Sequence, residues 1–114
     1  MSIFSNLFGP PVPTFKPGEV QEKLKNGNRP FLLDVREKSE TRAGYISGAR
    51  LIPLGQLNGR MKELPKDREI ICVCRSGHRS KSAAKQLIAA GYSASNMRGG
   101  MLAWNWAKLP VKKG

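Results

Sequence analysis

An apolar run, Ile70-Ile71-Cys72-Val73, breaks at Cys74 into the polar segment Arg75-Ser76-Gly77-His78-Arg79-Ser80, and a helical pattern follows at once. Ala83, Ala84, Leu87, Ile88 and Ala90 recur three or four residues apart until Gly91 stops them. Such a stretch predicts a buried strand, a tight turn and a helix N-terminus placed end to end. A thiol at that junction faces unpaired backbone N–H groups and the positive end of the helix dipole. Arg75 and Arg79 add positive charge on either side. Each of these stabilises thiolate over thiol, so Cys74 is the candidate nucleophile. A free cysteine is more commonly a buried apolar filler, and Cys72, set among Ile70, Ile71 and Val73, reads that way. Cys74 differs: Gly77 and two serines surround it, and no bulky apolar residue follows until Leu87. The two cysteines are not expected to bridge. Cα atoms two apart in a strand lie near the limit of about 6.8 Å for a relaxed disulfide, with Cβ atoms too far apart.

The rest of the chain alternates strand and helix signals. Pro17 at a first helical position, with Val20, Leu24 and closing Gly27, predicts a short helix. Phe31-Leu32-Leu33-Asp34-Val35 is apolar without alternation, as in a parallel strand covered on both faces. A brief helix is predicted over Glu37 to Ala43, ending at Gly44, and a short strand over Ala49 to Ile52. Leu57, Met61 and Leu64 space out a third helix, ended by Pro65. Ser93 to Met97 reads as a last strand, and Met101 to Leu109 as a last helix with Trp104 facing inward. The prolines at 10, 11 and 13 predict an irregular arm over residues 1–14, with a short strand near Val12 to Phe15. Lys112 and Lys113 suggest a loose basic tail over residues 111–114. Strands alternating with helices over short connections predict one α/β domain, residues 15–110, with a mainly parallel sheet. In such sheets ligands bind beyond the carboxyl ends of the strands, where Cys74 sits.

Charge narrows the function. The chain carries a net +12; all eight carboxylates lie at or before Glu69, and eight Lys or Arg lie beyond it. Cys74 therefore works in a positive field that attracts anions. Nucleic acid is the weaker reading, because interleaved aromatics, a helix-turn-helix string and zinc spacing are all missing. A small anion or an acidic partner fits better. Two cysteines without a spaced set suit a reducing compartment. No apolar run approaches a membrane span and the first residues lack a basic n-region, so the expectation is cytoplasmic, away from membrane. No metal or other cofactor is expected.

Three motifs together resemble one family. Leu33-Asp34-Val35-Arg36-Glu37 followed by Gly44-Tyr45-Ile46-Ser47-Gly48-Ala49 resembles the opening signature of the rhodanese domain. Ile70 to Ser80 resembles its active-site strand and loop, and Arg98-Gly99-Gly100-Met101-Leu102-Ala103-Trp104 its closing motif. Tyr45 stands where the family commonly has His, and Thr41 where an aromatic is usual. The resemblance implies a small, mainly parallel sheet flanked by helices on both faces, and a single-domain thiosulfate sulfurtransferase. It implies Cys74 as persulfide carrier, with Arg75, Ser76, Gly77, His78, Arg79 and Ser80 as the loop that surrounds it and binds substrate. The implied partners are a small anionic sulfur donor and a thiol, protein or cyanide acceptor. Arg75 directly after the cysteine resembles the thiosulfate-using branch. His78, the only histidine, is expected to line the mouth of the loop. Asp34 and Arg36 read as structural, with Arg36 pairing with Glu40, since buried charges persist when paired.

Two rivals stand beside this reading. Cysteine phosphatases and arsenate reductases resemble C-x5-R, whereas Cys74 to Arg79 is C-x4-R. The smaller ring suits one sulfur better than a tetrahedral oxyanion, and no carboxylate in or after the loop is available to protonate a leaving alcohol. The second rival is a persulfide carrier or rhodanese-like adaptor serving a partner protein; the complete loop argues against an inert adaptor.

Overall fold

The computed structural model describes residues 11–114, so that residues 1–10 of the expected arm lie outside the described residues. In chain order the elements are β1 (Thr14–Phe15), α1 (Pro17–Lys25), β2 (Phe31–Asp34), β3 (Arg50–Leu51), α2 (Leu54–Arg60), β4 (Ile70–Val73), α3 (His78–Ala89), β5 (Ala94–Met97) and α4 (Gly100–Trp106). Two 3-10 turns, Lys38–Ala43 and Met61–Glu63, join them. The five strands form one sheet in the order β1-β5-β4-β2-β3, and every neighbouring pair is parallel. The mainly parallel α/β sheet expected from the alternation is therefore present.

β4 lies at the centre, and its residues point alternately to the two faces. Ile70 and Cys72 join Leu33, Leu57 of α2, and Ala83, Ala84 and Leu87 of α3 in one apolar cluster. Ile71 and Val73 join Leu32, Val20 of α1, and Met101 and Trp104 of α4 in the other. Helices cover both faces, which is why β2 and β4 carry no polar alternation. Among the described residues no helix is long and apolar enough to cross a membrane.

Three expectations are corrected. The helix expected to run from Leu57 to Leu64 is α only to Arg60; Met61–Glu63 tightens into a 3-10 turn, closed by Leu64 N–H donating to the Met61 carbonyl at 2.9 Å. The Tyr92 hydroxyl donates to that same carbonyl at 2.7 Å and holds the turn against the body. The last helix stops at Trp106 rather than Leu109, because the chain reverses at Lys108 (φ 57°) and Trp104 Nε1 donates to the Pro110 carbonyl at 2.9 Å. The tail is not loose at Lys112, which exchanges two backbone hydrogen bonds of 2.8 Å with Tyr45 in an isolated antiparallel bridge.

Candidate active site

Cys74 is the first residue past the carboxyl end of β4. Its Sγ accepts the Gly77 N–H at 3.1 Å and lies 3.2 Å from Ser80 Oγ. Gly77 caps the N-terminus of α3 with φ 104°, a left-handed conformation that glycine adopts without penalty. A Cβ there would also press to 3.2 Å from the Gly99 nitrogen. On the outer side of the loop, the Cys74 carbonyl accepts Met101 N–H at 2.8 Å and the Arg75 carbonyl accepts Leu102 N–H at 3.0 Å. The first turn of α4 thus takes the loop's carbonyls while its amides turn toward sulfur. Gly100, at φ 58°, permits this contact: a side chain there would run into the Cys74 and Arg75 carbonyls.

Cys74 is only 1% exposed. Burial pushes its thiol up, but the Ser80 hydroxyl and the N–H groups of Ser80, Gly77 and Ser76 pull it down further, and the balance falls below an ordinary cysteine. Cys72, with no such donors, is pushed up to about 12 by burial and by the nearby Cys74 charge. The two thiols therefore differ in kind, as the strand-and-loop pattern suggested.

Of the other loop residues, Arg75, Ser76 and His78 are exposed, Gly77 and Arg79 half-buried, and Ser80 fully buried. Arg79 is turned away from the loop's centre: Nη1 and Nη2 donate to the two oxygens of Glu40 at 2.7 and 2.8 Å. That fork, opposed by burial and helped by the Glu37 N–H, holds the Glu40 carboxyl down at about 2. The expected Arg36–Glu40 ion pair is consequently wrong. Arg36 is buried and pairs with Asp34 at 2.7 Å, and it donates to the Gly44 carbonyl at 3.0 Å and the Glu40 carbonyl at 3.3 Å. Glu40 thus accepts a hydrogen bond from Arg36 only through its backbone carbonyl. Asp34 and Arg36 stake the 38–43 turn to the end of β2.

A cavity of about 270 Å³ beside the loop is lined by Arg36, Glu40, Arg75, Met101 and Leu102 among others. A larger depression lies at the opposite end of the sheet, between residues 27–30 and 67–69, where there is no nucleophile. Among the described residues no three His, Cys, Asp or Glu side chains converge as metal ligands would.

Asn96 is the site residue that sequence reasoning missed. It lies on β5 opposite Cys72, and its amide reaches both Ser80 Oγ at 2.5 Å and the Gly77 carbonyl at 3.3 Å. The available signal was a polar pair, Ser95-Asn96, inside a strand buried throughout. The whole arrangement can hold a negatively charged sulfur inside a ring of N–H and O–H donors, with a guanidinium at the rim.

The rhodanese-like domain family model matches residues 16–107. The YtwF protein of Bacillus subtilis is 37% identical over 91 residues, covering 80% of this chain and 88% of that protein. A sulfurtransferase of Allochromatium vinosum is 37% identical over 93 residues, covering 81% and 87%. Among solved structures, a rhodanese-related protein from Thermoplasma volcanium superposes with a TM-score of 0.85 at 27% identity, covering 90% of this chain and all of that one.

Proposed function

This chain belongs to the rhodanese-like domain family, and we propose that it moves sulfane sulfur from thiosulfate to a thiol or cyanide acceptor through a persulfide on Cys74. The Cys74 thiolate attacks the outer sulfur of thiosulfate. A new S–S bond forms as the old one breaks, and sulfite leaves with the bonding pair. Cyanide or a thiolate then attacks the outer sulfur of the persulfide, takes it, and returns the Cys74 thiolate. This is double displacement through a covalent intermediate, balanced without an outside oxidant.

The observation that carries this reading is the seat of Sγ, 3.1 Å from the Gly77 N–H and 3.2 Å from the Ser80 hydroxyl. Donors aimed at one sulfur hold the thiolate and, after transfer, the anionic persulfide. Arg75 and His78 are exposed on the loop, and in this reading they meet the incoming dianion and the departing sulfite. Arg79, committed to Glu40, adds to the field rather than gripping substrate. The Allochromatium relative's name supports sulfur transfer as the reaction class. The short C-x4-R ring and the lack of a loop carboxylate weigh against phosphoryl chemistry.

Incubation with thiosulfate followed by intact-mass spectrometry tests it. The wild-type chain should gain one sulfur atom, lose it to cyanide, and release thiocyanate. Cys74→Ser should abolish both steps, whereas Cys72→Ser should leave most of the activity. Equal loss from the two substitutions would make Cys72 a working partner and overturn the assignment to Cys74 alone.

A further inference from the structure

We infer that Asn96 restrains the ionisation of Cys74 by competing with it for the single proton of Ser80. The amide's orientation is fixed by its partners. The Gly77 carbonyl can only accept, so Nδ2 faces it at 3.3 Å, and Oδ1 faces the Ser80 hydroxyl at 2.5 Å. Oδ1 also can only accept, so Ser80 donates there, and a hydroxyl has one proton to give. Yet the same Oγ lies 3.2 Å from Cys74 Sγ.

The cluster therefore has two arrangements. With a thiol, Cys74 donates its S–H to a lone pair of Ser80 Oγ, and Ser80 donates to Asn96. With a thiolate, the S–H bond has broken and its proton has gone to water at the loop's mouth. Ser80 then turns about its Cβ–Oγ bond and donates to sulfur, and Asn96 Oδ1 loses its donor. Ser80 and Asn96 are 0% and 5% exposed, so bulk solvent does not freely replace that bond. Asn96 never touches sulfur; it is a positioning residue that favours the thiol through Ser80, while its Nδ2 steadies Gly77 in both arrangements.

The charged and titratable groups on the elements around Cys74 are Arg75, His78, Arg79, Lys81 and Lys85 on its own loop and helix, and Cys72 on β4. The Asp34–Arg36 pair lies at the end of β2, Glu40 on the following turn, and Arg98 just after β5. None is altered by the substitutions that test the idea, apart from one deliberate carboxylate.

The sign of the effect separates competition from simple bracing. A brace, once removed, loosens the donors and makes the thiol harder to ionise. A competitor, once removed, makes it easier. Ultraviolet absorbance of the thiolate against pH reads this directly on the full chain, because Cys72, pushed up to about 12, stays out of the range. Asn96→Leu, similar in size but without an acceptor, should move the midpoint to lower pH. Below the midpoint its thiolate fraction should be about three- to tenfold larger, the factor one neutral hydrogen bond is worth. Ser80→Ala should move the midpoint up, and adding Asn96→Leu to it should bring no lowering, since only the Nδ2 brace on Gly77 is then left to lose. A midpoint unchanged or raised in Asn96→Leu overturns the inference, as does an equal lowering in the Ser80→Ala background. If Asn96→Leu fails to fold by thermal melt, Asn96→Val carries the same test. Asn96→Asp must raise the midpoint, because a carboxylate both retains the Ser80 proton and repels the nearby thiolate; no rise would count equally against the idea. These readings concern ionisation alone, so a chain inert to thiosulfate could still show them, and their failure would leave sulfur transfer untouched.

Discussion

At the scale of single residues, the two charge pairs near the site behave differently because they differ in burial. Asp34 and Arg36 have side chains only 3% and 6% exposed, so each charge depends on the other. Asp34→Ala leaves a buried guanidinium with only carbonyl acceptors and should destabilise the fold by about 3–5 kcal/mol, read as a shift in urea unfolding. Glu40 and Arg79 are half-open to water, and their link shows instead in pH dependence. The Glu40 carboxyl is lowered from 4.5 to about 2 on folding, first by the Arg79 hydrogen bonds. Its contribution is therefore complete above about pH 4.5 and lost as pH falls toward 2. Urea midpoints measured across that window should fall less steeply with acidification in Glu40→Gln than in the wild type.

At the scale of elements, the ring between β4 and α3 is defined by its length. Inserting one residue between Ser76 and Gly77 would make C-x5-R and pull the N–H groups off their common centre. Since about 1 Å of misplacement can cost on the order of a hundredfold, thiosulfate:cyanide transfer should drop by about that factor while the thermal melt stays cooperative. Oxyanion binding should become detectable in the same preparation. Appreciable hydrolysis of a phenyl phosphate ester by the uninserted chain would instead favour the phosphatase rival. The β4–loop–α3 unit was legible in advance because its signals are local: an apolar run, a glycine for the turn, and a helical period ended by Gly91. The partner of Arg79 was not, because it comes from the 38–43 turn 39 positions away, which no spacing in the chain records; Arg36 closes instead on Asp34, two residues back. Asn96 was hidden for a similar reason. Its importance comes from standing beside Cys72 across the sheet and under Ser80, neighbours 24 and 16 positions away. The early end of the last helix is local but absent from the apolar spacing, since it goes with a left-handed Lys108 and with Trp104 donating to the Pro110 carbonyl six residues on.

At the scale of the whole molecule, charge is sorted along the chain, with every carboxylate side chain at or before Glu69. Of the eight cations beyond Glu69, Arg79 is the one in an ion pair among the described residues. Exposed Arg75 is among the other seven. Arg75→Ala should raise the KM for thiosulfate several-fold and flatten its dependence on added salt, since such attraction is screened over about 10 Å at 0.1 M ionic strength. Steady-state kinetics at low and high salt check both halves. The contact between α4 and the outer side of the loop has a different consequence, one for anyone wishing to move this chemistry elsewhere. Residues 74–80 are not a portable cassette. Grafted onto another strand–helix junction, they would carry two carbonyls that here are satisfied by Met101 and Leu102, and the peptide planes would be free to rotate the amides away from sulfur. A working transplant has to bring a second helix start, with a glycine at its first position, and seat it against the graft from a distant part of the host.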